Sequence, residues 1–91
     1  MIIRGNTIIL KSAGSYFYKE RDNQKCNTVR RFSQWEELKA FQEFKNIFET
    51  KYSPQQIIRI DGGTEGFFER EITDISEFDG HGIYIISWRP I

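Results

Sequence analysis

The stretch Asn23-Gln24-Lys25-Cys26-Asn27-Thr28-Val29-Arg30 gathers the side chains best suited to chemistry at close quarters. An ammonium and a guanidinium stand five positions apart, with a hydroxyl between them. If residues 27–32 are extended, Thr28 and Arg30 point to one face, and Lys25 reaches in from the preceding turn. Such a trio suits a phosphate or a nucleobase carbonyl, because the guanidinium offers a planar fork and the ammonium a mobile point charge. Arg31 adds a further cation beside them, so the candidate ligand-binding residues are Lys25, Thr28, Arg30 and Arg31. The competing reading is a solvated basic edge strand, where Lys and Arg discourage sheet-to-sheet pairing.

Net charge is zero but unevenly spread. Residues 1–33 carry seven basic side chains against two acidic ones, and residues 61–79 carry seven acidic against one basic. The imbalance marks the first segment as a place for an anionic ligand, unless the two segments pair across a sheet and neutralise each other. The near-zero total disfavours non-specific DNA binding, which needs a broad basic face. Other chemistry-bearing residues are isolated. His81 lies between two glycines with no spaced partner, and Cys26 is the only cysteine, so neither a disulfide nor a Cys/His metal set is expected. Gly62-Gly63 and Gly66 lack the strand–glycine–helix order of a phosphate loop. Trp88 is assigned to the core, while Tyr16, if exposed, could stack a base.

Several elements must position this cluster. Residues 2–10 form an apolar, β-branched strand interrupted or bent at Gly5. Residues 15–21 read as a short helix with Ser15 as its cap, or as a strand on their aromatic content, followed by a turn at Asp22-Asn23. Residues 27–32 are a second strand. Ser33 and Glu36 then make a capping box for an amphipathic helix from Gln34 to about Lys51, stopped by Ser53-Pro54. Its apolar half holds Leu38, Ala40, Phe41, Phe44, Ile47 and Phe48. Strands follow at 57–60, 67–75 and 83–89, with turns at Asp61-Gly62-Gly63 and at residues 79–82. The long strand sets Phe68, Arg70 and Ile72 against Glu69, Glu71 and Thr73, and the last strand is apolar on both faces, as an interior strand is. Short turns between successive strands favour an antiparallel meander. The expected fold is α+β over one domain, 1–91: a small, partly closed antiparallel barrel with one long helix on it.

Ninety-one residues can bury only about 60% of their unfolded surface, so the stability margin is narrow. Eight Phe, four Tyr and two Trp supply the bulk for a core, which argues against disorder. The N-terminus lacks the pattern of a signal peptide, and no apolar run approaches the ~20 residues of a membrane span. A cytoplasmic protein without membrane partners is the expectation.

The 23–30 stretch resembles the signature of the ASCH domains, relatives of the PUA fold, which runs G-x-K-x-x-[E/T]-x-R. The matching positions are Asn23, Lys25, Thr28 and Arg30, with asparagine in place of glycine, a tolerable change if the position needs positive φ. FEREITDI and then GIYIISW sit where that family places its closing strands. The helix at 34–51 is longer than the family has directly after the motif. The resemblance implies a non-catalytic module for RNA or a small nucleotide, with no cofactor. Some members, the bacterial N4-acetylcytidine amidohydrolases, are similar at a finer level: lysine and threonine three apart, with a glutamate on a later strand. Carried over, that pattern makes Lys25 the base for a Thr28 nucleophile, with Glu69 or Glu71 completing proton transfer. The chain also resembles small phage-encoded proteins, which suggests an inhibitor that captures a host defence protein or sequesters a nucleotide signal.

Overall fold

Gly5 turns the first apolar run back on itself. At φ +59° it takes the left-handed conformation, and β1 (Ile2–Arg4) and β2 (Thr7–Lys11) pair as a tight antiparallel hairpin. The computed structural model describes residues 1–50, 55–78, 80 and 82–90. Within them follow α1 (Gly14–Arg21), β3 (Asn27–Arg31), α2 (Trp35–Phe48), β4 (Ile57–Asp61), a 3-10 turn at Gly63–Glu65, β5 (Phe67–Phe78) and β6 (Ile83–Trp88). The expected helix stop at Ser53-Pro54 and the centre of the turn at 79–82 lie outside the described residues.

The strands form one six-stranded sheet in the order β1-β2-β4-β5-β6-β3. An antiparallel meander does run through β4, β5 and β6. The sheet is mixed, which corrects the expected all-antiparallel pairing, and its strands do not pair into a closed barrel. β2 and β4 are parallel, because the long connection through α1, β3 and α2 returns the chain to the same end of the sheet. β1 and β3 remain edges, so strand pairing leaves the sheet open. β5 runs three residues beyond the expected end, with an irregularity between Ile72 and Asp74. Its first half pairs with β4 and its second with β6, a stagger that bends the sheet. Across the open side, Arg30 Nη1 donates to the Lys11 carbonyl at 2.7 Å, joining β3 to the end of β2 although three strands lie between them.

Both helices are held by aromatic contacts. Phe41 of α2 packs on Tyr84 and Phe32, with ring centroids at 4.5 and 4.6 Å. Phe41 and Phe44 are buried, whereas Ile47, expected on the same stripe, is 49% exposed. No capping box forms: Gln34 is the N-cap and makes no side-chain bond, while Glu36 and Glu37 favour the positive end of the helix electrostatically. Ser15 likewise lies inside α1, whose N-cap is Ala13. Phe17 anchors α1 against Phe68 and Gly62. A methyl at Gly62 would come within 2.7 Å of the Phe17 ring, so this close approach requires glycine. Arg70 secures the far end of α1, donating to the Arg21 carbonyl at 2.9 Å while lying over the Phe68 ring.

Tyr84 is fully buried, yet its hydroxyl has no hydrogen-bond partner among the described residues. Tyr84→Phe keeps the ring contacts and removes only an unbonded polar atom. It is expected to change unfolding free energy in urea by less than about 1 kcal/mol, or to raise it. A loss above about 2 kcal/mol would show that the hydroxyl is bonded after all.

Candidate functional site

Three elements converge on the open side of the sheet. β2 ends there at Lys11-Ser12, α1 lies below, and edge strand β3 closes the third side. They enclose a cleft of about 370 Å³ lined by Lys11, Ser12, Ala13, Tyr16, Glu20, Lys25, Thr28, Val29 and Arg30. Lys25, Thr28 and Arg30 therefore share one concavity. Arg31 and Glu69 are not among its lining residues.

Local structure explains the convergence. Asn23 adopts φ +65°, the conformation that glycine or asparagine takes most readily, and reverses the chain after α1. The Gln24 and Lys25 amides then both donate to the Lys19 carbonyl, which sets Lys25 at the mouth of the cleft. Its Nζ lies 5.6 Å from the centre of the Tyr16 ring. Pairing with β6 puts Thr28 opposite Ile86 and Arg30 opposite Tyr84, so both point to the core face. Thr28 is buried, and its Oγ1 accepts from Arg30 Nε at 2.9 Å. Two anchored nitrogens thus fix the guanidinium between the strands.

The cleft holds three cations, Lys11, Lys25 and Arg30, against one carboxylate, Glu20. Burial pulls the Arg30 guanidinium below its usual pKa, and the Glu20 carboxylate opposes that shift. Arg30 stays charged all the same, since guanidinium is not deprotonated in proteins. The charge balance of the lining is thus cationic, with one acidic group among it.

Comparisons with known proteins add no relative. No protein-family model, curated protein or solved structure matches the chain. The site must therefore be argued from its own geometry.

Neither candidate β5 glutamate faces the cluster. Alternation on β5 buries Phe68, Arg70 and Ile72, and sends Glu69 and Glu71 to the opposite face, where Glu71 lies 3.7 Å from Arg89. The alternative to a ligand site, neutralisation of the basic and acidic segments across the sheet, is largely absent among the described residues. β5 neighbours only β4 and β6, and Lys11–Asp61 is the one register pair joining the two segments. Sequence reasoning missed Lys11, Ser12 and Glu20. The available signal for Glu20 was its place three residues after Phe17, on the same helical face. Among the described residues, no group of three or more His, Cys, Asp or Glu is placed to hold a metal ion, and no helix is long and apolar enough to cross a membrane.

A second hollow of about 490 Å³ adjoins the first through Lys11, Ser12 and Ala13, and is completed by Asp61, Gly62 and Gly63. Asp61 ties its walls together: Ser12 N donates to its carbonyl, and Gly63 N donates to its side chain.

Proposed function

We propose that the chain is a non-catalytic binding module for a small nucleotide, or for one nucleotide of an RNA, held in the cleft between α1, β2 and β3. The observation that carries this reading is the convergence of Lys25, Thr28 and Arg30 on one concavity, beside an exposed aromatic ring. Arg30 and the two lysines hold the phosphate, with the guanidinium supplying the fork and the lysines mobile charge. Tyr16, 64% exposed at the rim, offers its face to the base. The finer fold assignment follows the same line. An open sheet bent at β5 and bridged by Arg30 fits a partly closed barrel of the PUA/ASCH type, with the ligand at the unclosed seam.

Binding is favoured over hydrolysis by two features. Thr28 Oγ1 already accepts from Arg30, and Glu69 and Glu71 lie on the face away from it. A Thr nucleophile needs an adjacent base and a relay, and the described residues supply no hydrogen bond between Lys25 and Thr28.

The test is a titration of the chain with AMP, CMP, GMP and UMP, followed by NMR. At least one should bind, and binding should weaken as salt rises. Lys25→Ala removes one phosphate contact and the Tyr16 neighbour, and should cost about tenfold in affinity. Unchanged affinity in Lys25→Ala, or no binding by any of the four, rejects the proposal. Incubation with N4-acetylcytidine should leave it intact.

A further inference from the structure

Glu20 sits at the floor of the cationic cleft and is 1% exposed. Ser12 Oγ donates to its Oε1 at 2.9 Å, whereas Oε2 accepts no hydrogen bond among the described residues. No ion pair among those residues includes it. A buried carboxylate oxygen left without a donor is costly, and such groups persist where something else offsets the cost. Arg30 is the obvious neutralising candidate and its charge is felt by Glu20, but no hydrogen bond or ion pair among the described residues joins them: its Nε donates to Thr28 and its Nη1 to the Lys11 carbonyl. Oε2 is the acceptor left unpaired on a residue that lines the cleft.

A fully ionised phosphate gains nothing from this group, because it has no donor to offer and the carboxylate would repel it. The occupant must bring acceptors for Lys11, Lys25 and Arg30 together with a donor for Glu20. A nucleotide does both at once: anionic oxygens at one end, amino or imino N–H groups on the base edge at the other. We propose that Glu20 is the specificity-determining residue of the cleft, accepting a base-edge N–H through Oε2 while the cations hold the phosphate. Ser12 is a positioning residue that fixes the carboxylate by occupying Oε1. This inference rests on the nucleotide reading and extends it: the site selects for the base, not for phosphate alone.

The test compares ribose 5-phosphate with the four nucleoside 5′-monophosphates by calorimetry or NMR titration. The tightest nucleotide should exceed ribose 5-phosphate by about tenfold or more, since a site with a buried polar group rejects ligands that cannot pair it. On the unaltered chain, the same nucleotide stripped of edge N–H groups should fall toward the ribose 5-phosphate value. That counterpart is purine riboside 5′-monophosphate for AMP, N3-methyl-UMP for UMP, N4,N4-dimethyl-CMP for CMP and N1,N2,N2-trimethyl-GMP for GMP. In Glu20→Met, which keeps length and removes both acceptors, the advantage of the base should shrink to about threefold or less. Ribose 5-phosphate should then bind more tightly, because one negative charge has gone.

The arms separate two failures. Nucleotide binding that depends on Lys25, but with equal affinity for ribose 5-phosphate, overturns the role of Glu20 alone. So does an unchanged advantage in a folded Glu20→Met, or no loss on stripping the N–H groups from the unaltered chain's ligand. Absence of any nucleotide binding removes the underlying reading, and this inference with it.

Discussion

Arg30→Lys is expected to weaken nucleotide binding by about 100-fold, the equivalent of ~2.7 kcal/mol. The charge is conserved, but the geometry is not. Arg30 Nε and Nη1 hold Thr28 Oγ1 and the Lys11 carbonyl at 2.9 and 2.7 Å, leaving Nη2 and the remaining Nη1 hydrogen for an anion. A lysine ammonium can satisfy one of these partners and cannot span both strands while presenting a fork. Each charge-assisted hydrogen bond is worth about 1.5–3 kcal/mol, so losing the ligand contact and its fixed orientation accounts for the expected factor. The tie between β3 and β2 loosens too, and a cost of about 1 kcal/mol should lower the melting temperature by about 4–8 °C. Calorimetric titration and thermal unfolding on the same sample separate the two effects. Affinity within about threefold of the unaltered chain would mean that Arg30 serves the fold and not the ligand.

Gly82→Ala is expected to destabilise the protein by about 2–4 kcal/mol, a large share of the 5–15 kcal/mol that holds a small domain together. Two penalties act at this site. Gly82 adopts φ +73°, where a Cβ is strained, and that Cβ would sit 2.9 Å from the Phe32 carbonyl oxygen. The obstacle is main chain, and Phe32 N donates to the Gly82 carbonyl at 2.9 Å, so the neighbour cannot retreat without breaking the contact that carries β3 toward α2. Gly80 provides the control. It has φ +67° but nothing within 4 Å of the added carbon, so Gly80→Ala should cost only about 1 kcal/mol. Denaturant midpoints measure both. Equal losses would show that conformational strain alone sets the cost and that the Phe32 contact yields.

Local patterns carried much of this fold into view. Alternation identifies β6 as an interior strand and fixes which β5 side chains are buried, and the asparagine before Lys25 announces a left-handed turn. Those features depend on a residue and its near neighbours. The parallel pairing of β2 with β4 does not, because Ile8 and Ile58 meet although they stand fifty positions apart in the chain. The expected Ser33–Glu36 box does not form: the helix begins after Gln34, one position later than that box requires. Glu20 was the hardest residue to find. In GSYFYKER no apolar stripe shows, so a glutamate there looks solvated until Phe17 is seen locked beneath Gly62, which turns the whole face inward. Glu69 illustrates the converse. Its face was readable from alternation, but only the order β5-β6-β3 tells which face Thr28 shares.

The bridge from Arg30 to Lys11 has a consequence for how the molecule comes apart. β3 pairs with β6 alone, so one partial opening is for that strand to peel away, and the Arg30 bond attaches it to a second strand. An occupant of the seam would grip β2, α1 and β3 together, adding a third attachment. Occupancy and resistance to peeling are then one thermodynamic quantity, and each decade of ligand excess over its dissociation constant closes that opening by about 1.4 kcal/mol.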